Sequence, residues 1–248
     1  MPSSTEPRGA QRVLLFDVDG TLVHAGGAGR RALGRVMSAE LGAIDGALTG
    51  LRLDGMTDRL IVREVLVAIG RPFDAALCDR LLAAYVEVLK EEIHGPGYAV
   101  LPGVEDLLEE LARAGAAVGL CTGNVSAGAR IKLARGGLDR FFDWGPRAVA
   151  AFADDGEARE LLVRAALDRA SLWRGAPAGP GDVLVIGDTP RDVSAARAHG
   201  VLALGVATGR YDVEELRAAG AHSVRLTLEG AAPALLAWAE GRGLRGET

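Results

Sequence analysis

The sequence predicts an α/β protein, a parallel sheet covered by helices on both faces, with a purely helical unit inserted after the first strand. Three observations carry this expectation. From residue 100 onward, short apolar runs suited to buried parallel strands alternate with amphipathic helical stretches. Residues 30–93 hold helical patterns only. The chain of 248 residues is long enough for one large domain, or a core with a smaller insertion, without a metal or disulfide staple.

The first strand is the apolar run Val13–Phe16, which ends abruptly in Asp17-Val18-Asp19-Gly20-Thr21. Residues 22–31 are glycine-rich, and Gly27-x-Gly29-x-x-Ala32 matches a dinucleotide fingerprint in form. A working fingerprint follows its strand directly, so these glycines read instead as a hinge into a helix. Ile61, Val62, Val65, Leu66 and Ile69 form one apolar helix face, with Thr57 or Asp58 as the cap. Leu77, Leu81, Tyr85 and Leu89 repeat that spacing after start signals at Pro72 and Asp74. Residues 94–98, His-Gly-Pro-Gly-Tyr, read as the return linker. The expected division is a core of residues 1–21 and 100–248 and a helical unit of residues 22–99.

Within the second part of the core, a helix from Val104 ends at Gly115, and Ala117–Cys121 forms a strand ending in Thr122-Gly123-Asn124. A helix to about Arg135 follows, then a strand around Ala148–Ala151 and a helix from about Gly156 to Leu172. The strand Val183–Ile186 ends in Gly187-Asp188-Thr189-Pro190-Arg191-Asp192. Val201–Val206 is a further strand, and helices near Val213–Ala219 and Ala231–Ala239 complete the pattern.

A net charge of -5 gives no global basic field for nucleic acid, and no apolar run approaches membrane-spanning length. Residues 1–12 are polar and lack the apolar stretch of a signal peptide. Cys78 and Cys121 lie in apolar contexts without C-x-x-C spacing, as expected of reduced core residues in a cytoplasmic protein. Small-molecule chemistry is the expectation, and the oligomeric state is left open.

Three strand ends carry polar residues of one functional kind: Asp17 and Asp19, then Thr122 and Asn124, then Asp188 and Asp192. In a parallel sheet these ends share one edge, where ligands bind. Four carboxylates meeting there would repel one another, so a cation is implied. The motifs offer only oxygen ligands, which suits a hard ion, Mg²⁺ being the common choice. Asp17, Asp19, Asp188, Asp192 and the Val18 backbone carbonyl are the candidate ligands. Thr122, Gly123 and Asn124, at a strand-to-helix passage, are candidate anion binders through free amides and the helix dipole. A carboxylate nucleophile, a hard cation and an anion cradle together describe phosphoryl transfer.

Asp17-Val18-Asp19-Gly20-Thr21, Thr122 and Gly187-Asp188-x-x-x-Asp192 resemble, in order, the motifs of the haloacid dehalogenase superfamily, in particular its phosphoglycolate-phosphatase-like members. The resemblance implies a Rossmann-like core with the helical segment as a mobile cap. It implies that Asp17 is a nucleophile forming an aspartyl-phosphate, and that Asp19 protonates the leaving alcohol and then activates water. It also implies a Mg²⁺-dependent phosphatase for a small phosphomonoester, with a β-phosphoglucomutase-like mutase or a non-catalytic binding protein as rivals. The family places a Lys near the helix before the last catalytic strand, and residues 154–159 contain none. Arg159 is the expected substitute and Lys132 the alternative. On the cap, Arg30, Arg31 or Arg59 could meet an acidic leaving group, and His24 is the one histidine near the first motif.

Overall fold

A computed structural model of the protein describes residues 11–243. The polar segment 1–10 and the end of the expected core, residues 244–248, lie outside the described residues.

Six parallel strands form one sheet: β1 (Val13–Phe16), β4 (Ala117–Cys121), β5 (Ala150–Ala151), β6 (Val183–Gly187), β7 (Leu202–Val206) and β8 (Ser223–Arg225), in the order β5-β4-β1-β6-β7-β8. β1 is therefore central, with Phe16 level with Leu120 of β4 and Ile186 of β6. That register brings Asp17, Thr122 and Asp188 to the same edge. All four β1 residues are fully buried, as a strand covered on both faces requires.

Helices α5 (Val104–Arg113), α6 (Ser126–Arg135) and α10 (Ala232–Ala239) cover one face, sealing Leu14, Phe16, Leu120 and Ile186. On the other face α7 (Arg159–Arg174), α8 (Pro190–Ala198) and α9 (Val213–Ala218) bury Val13, Leu15, Val183 and Val185. The alternation of β1 side chains between these two clusters is the period-two pleat of a strand. No helix among the described residues is long and apolar enough to cross a membrane.

The inserted segment folds as α1 (Ala28–Leu41), α2 (Asp45–Thr49), α3 (Asp58–Ala68) and α4 (Ala75–Glu92) around its own apolar cluster, including Leu33, Met37, Val62, Leu66 and Leu81. Thr57 accepts the Leu60 amide and Asp74 the Leu77 amide, so both expected start signals work as N-caps. Val125 and Ala153 of the sheet-bearing part join the same cluster, so the bundle packs directly over the sheet edge.

The structure departs from the expectation at two places. The segments read as hinge and return linker contain β2 (Val23–Ala25) and β3 (Tyr98–Val100), an antiparallel pair. At three residues each, they are too short to show an alternating pattern. β8 is equally short and half-buried.

Candidate active site

At the end of β1 the chain turns through Gly20, whose φ of 81° is left-handed and suits glycine. A Cβ there would lie 2.3 Å from Asp188 Oδ2, so only glycine lets the turn approach that carboxylate. Thr21 donates its hydroxyl to Asp188 Oδ1 at 3.1 Å, tying the first motif to the third. Thr208, after β7, donates to the Gly20 carbonyl at 2.6 Å. Neither Thr208 nor its neighbour Gly209, packed against Asp188, carried a sequence signal.

Asp17, Asp188 and Asp192 each present a carboxylate oxygen within 4.8 Å of the other two, and all three are buried. Asp192 is held by the α8 start: Thr189 accepts the Asp192 amide, and Asp192 Oδ2 accepts the amide and hydroxyl of Thr189. This reciprocal capping box turns Oδ1 toward the cluster. Arg159, the first residue of α7, places Nη2 2.9 Å from Asp17 Oδ1 and forms a second ion pair with Asp192. Its guanidinium is buried, so it is a site cation.

One guanidinium does not balance three buried carboxylates. Burial pushes the Asp17 carboxyl up to about 6, with Arg159 pulling it down and Asp192 pushing it up. Asp188 is held well above the ordinary carboxylate range by burial and by Asp17 and Asp192. Buried oxygen ligands with excess negative charge fit a hard divalent cation.

Asp19 belongs to a different group. Lys132 Nζ lies 2.5 Å from Asp19 Oδ2 and 2.5 Å from Asn124 Oδ1, and Asn124 Nδ2 donates to the same Asp19 oxygen at 2.8 Å. The Asp19 side chain is thus paired with Lys132 and Asn124, and the grouped carboxylates are Asp17, Asp188 and Asp192. The Val18 carbonyl, the other candidate ligand of the first motif, lies in the turn after β1. It accepts the amides of Leu22 and Val23 at 2.9 and 3.0 Å, closing the turn and occupying both lone pairs. Lys132 and Arg159 both reach the site, one for each group of carboxylates.

Thr122 is fully buried, hydrogen-bonds the Asp17 side chain and accepts from Asn124 Nδ2 at 2.9 Å. At Gly123 a Cβ would lie 2.3 Å from the Met56 carbonyl, so the bundle presses on this loop. The first amides of α6 do not wait for an anion. Asp58 Oδ2 takes the Val125 amide at 2.8 Å and Asp154 takes that of Ser126 at 2.6 Å. The Asp58 amide also donates to the Gly123 carbonyl at 2.7 Å. Asp58 was expected at most as a helix cap. Burial pushes its carboxyl up to about 6, while Lys132 and the Val125 amide pull it down.

A cavity of about 610 Å³ opens between sheet edge and bundle, lined by Asp17, Asp19, Thr122, Lys132 and Arg159 together with Tyr85 and Leu33 of the bundle. Of the three arginines of the bundle singled out from the sequence, Arg30 lines the cavity, and all three have partners within the inserted segment. Arg30 binds the Leu48 and Leu51 carbonyls, Arg31 pairs with Glu92, and Arg59 pairs with Asp79. His24 lies in β2 at the cavity wall, its Nδ1 3.1 Å from the Gly97 carbonyl.

A parallel sheet here delivers acidic residues from separate strands to one edge, beneath a helical bundle. Residues 11–200 match the haloacid dehalogenase-like hydrolase family. The chain is 31% identical over 224 residues to a phosphoglycolate phosphatase of Rhodospirillum rubrum, covering 86% of each chain. Its fold is similar to a hydrolase from Pseudomonas syringae, with a TM-score of 0.69 and 27% identity over 91% of this chain and 98% of the other. CbbY from Rhodobacter sphaeroides, solved in complex with phosphate, shares the fold at 20% identity, with a TM-score of 0.65 over 89% of this chain and 96% of that one. The protein belongs to the haloacid dehalogenase-like hydrolase family. Within it, the chain is a phosphatase, a phosphoric monoester hydrolase.

Proposed function

We propose that the protein hydrolyses a small phosphomonoester, phosphoglycolate-like or a sugar phosphate, through an aspartyl-phosphate on Asp17 with Mg²⁺ as cofactor. One observation carries the reading: the first motif's two carboxylates sit in opposite settings, Asp17 in a cation-poor buried cluster and Asp19 on a lysine.

Asp17, Asp188 and Asp192 would hold the Mg²⁺, which supplies positive charge that screens the phosphate dianion from the nucleophile. Arg159, beside Asp17, draws a phosphoryl oxygen toward the attacking carboxylate. Thr122, Gly123 and Asn124 bind the other phosphoryl oxygens. Attack by an Asp17 oxygen on phosphorus forms the acyl-phosphate and breaks the ester P–O bond. Asp19 delivers a proton to the departing alkoxide, then removes one from the water that attacks the acyl-phosphate. Both bonds that hold its side chain fall on Oδ2, so Oδ1 is the oxygen that exchanges the proton. Helices α1–α4 act as a cap: opening admits substrate and closing excludes bulk water. The residues 22–99 that make up this proposed cap include β2 and most of β3, which connect it to the core.

The partner is a small phosphorylated molecule, with no nucleic acid or membrane, and the setting is the cytoplasm, where the buried free thiols Cys78 and Cys121 stay reduced. The test is a panel of phosphorylated metabolites assayed for phosphate release with Mg²⁺ and again with chelator. Release with Mg²⁺ that chelation abolishes is expected. No release across the panel, or isomerisation of a hexose 1-phosphate without free phosphate, contradicts the reading.

A further inference from the structure

The Tyr85 hydroxyl is a buried polar group that the reaction above does not use. Tyr85 lies on α4 in the apolar stripe of the bundle, is fully buried, and its oxygen has no hydrogen-bond partner among the described residues. An orphaned buried hydroxyl is destabilising, and phenylalanine would fill the same space without that cost. Tyr85 is also among the residues lining the cavity, with Asp19 and Lys132.

Two glycines make room for it. On α6 a Cβ at Gly128 would stand 3.5 Å from the Tyr85 ring. On α1 a Cβ at Gly29 would stand 3.5 Å from both Tyr85 Oη and Lys132 Nζ. One point in space therefore stands 3.5 Å from two hydrogen-bonding groups. The Lys132 ammonium has three N–H donors, of which Asp19 and Asn124 take two. The phenol keeps its proton, because burial and then the Asp58 and Asp19 carboxylates hold its pKa well above the ordinary tyrosine value. The niche thus offers two donors to one acceptor.

We infer that Tyr85, with the third N–H of Lys132 and the space left by Gly29, forms a leaving-group subsite that selects phosphomonoesters whose leaving group bears an acceptor oxygen. This rests on the phosphatase reading of the same site. Lys132 joins the subsite to Asp19, the group assigned to the leaving oxygen, whereas the phosphoryl group lies on the Asp17 side. An oxygen held by Tyr85 and Lys132 therefore belongs to the leaving group and not to the phosphoryl group. A hydroxyl or a carboxylate oxygen satisfies the same two donors.

The test compares kcat/KM for 2-hydroxyethyl phosphate and phosphoglycolate with that for ethyl phosphate, in wild type, Tyr85→Phe and Gly29→Ala. Wild type is expected to prefer the oxygen-bearing esters, and the two arms show whether hydroxyl or carboxylate is favoured. Tyr85→Phe should cut that preference about tenfold, the worth of one hydrogen bond. It should melt no lower than wild type. Gly29→Ala keeps ordinary contact distances and favours the helix, and it should cut the preference by occupying the niche. A preference unchanged in both variants overturns the inference, as does a Tyr85→Phe protein that melts lower with its preference intact. Equal wild-type rates on all three esters also overturn it. Absence of wild-type hydrolysis of every ester, including a broad panel, defeats the phosphatase reading itself, and the subsite with it.

Discussion

Asp17 and Asp19 are separated by one residue, yet the fold sends them to different surroundings. The Asp17 side chain is 5% exposed and shares its pocket with two more carboxylates and one guanidinium. The Asp19 side chain is 42% exposed and is matched by Lys132 and Asn124. One side is short of positive charge and the other has its full share. Chemistry that needs an added cation belongs to the first, and proton exchange with a leaving group belongs to the second. Strand alternation would put residues two apart on one face; the division arises because β1 ends at Phe16 and the chain turns through Gly20, closed by the Leu22 and Val23 amides on the Val18 carbonyl.

Substitutions that act on one side only break the comparison most sharply. Asp17→Asn removes the nucleophile, and kcat on an aryl phosphate with Mg²⁺ should fall by about a thousandfold or more. Steady-state rates within a few-fold of wild type would remove Asp17 from that role. Arg159→Ala leaves Asp17, Asp188 and Asp192 buried together without a cation between them, and the metal-free protein should lose about 3 kcal/mol in urea denaturation. Added divalent cation should recover part of that loss. Lys132→Ala should cost less, since the half-exposed Asp19 can turn to water. Equal costs for the two would erase the asymmetry. Asp19→Asn should lower kcat about a hundredfold for an alkyl ester, and less for an aryl ester whose leaving group needs no proton.

The smallest effect sharpens the picture where the bundle meets the phosphate loop. Asp58 has its folded pKa pushed up to about 6, above the ordinary carboxylate value it takes when unfolded. The folded state therefore binds more protons between about pH 4 and 6. Its contribution to stability is fully present below about pH 4 and lost as pH rises through 6. Asp58→Asn keeps an acceptor for the Val125 amide and has no proton to lose. Stability should fall less steeply over that window in the variant than in wild type, by urea melts at pH 4.5, 5.5 and 7. Parallel slopes would show that Asp58 is not the group responsible.

Much of this was readable from the residues, and the exceptions have physical causes. Apolar runs ending in acids marked β1 and β6, and the Thr57 and Asp74 caps were legible because capping needs only local spacing. β2, β3 and β8 escaped notice because three-residue strands carry no period. The two amides that the Val18 carbonyl accepts were not legible, because the use of a backbone oxygen depends on the turn that follows, which closes through Leu22 and Val23. Arg159 and Lys132 looked like competitors for one position. Only the tertiary placement of α6 and α7 shows that each serves its own carboxylates. Tyr85 fitted the helical stripe of a packed core, and nothing in its spacing distinguished a hydroxyl facing Lys132. Gly29 was visible, but as part of a fingerprint in the wrong context.

The division between Asp17 and Asp19 is tested most directly by trapping the covalent intermediate in Asp19→Asn. With an aryl phosphate and Mg²⁺, loss of the general base slows hydrolysis of the acyl-phosphate more than its formation. Acid quenching followed by peptide mapping should then find close to one phosphate per chain, labile to hydroxylamine, on the peptide containing Asp17. Continued phosphate release with no covalent phosphate, or phosphate on any other residue, would contradict the account.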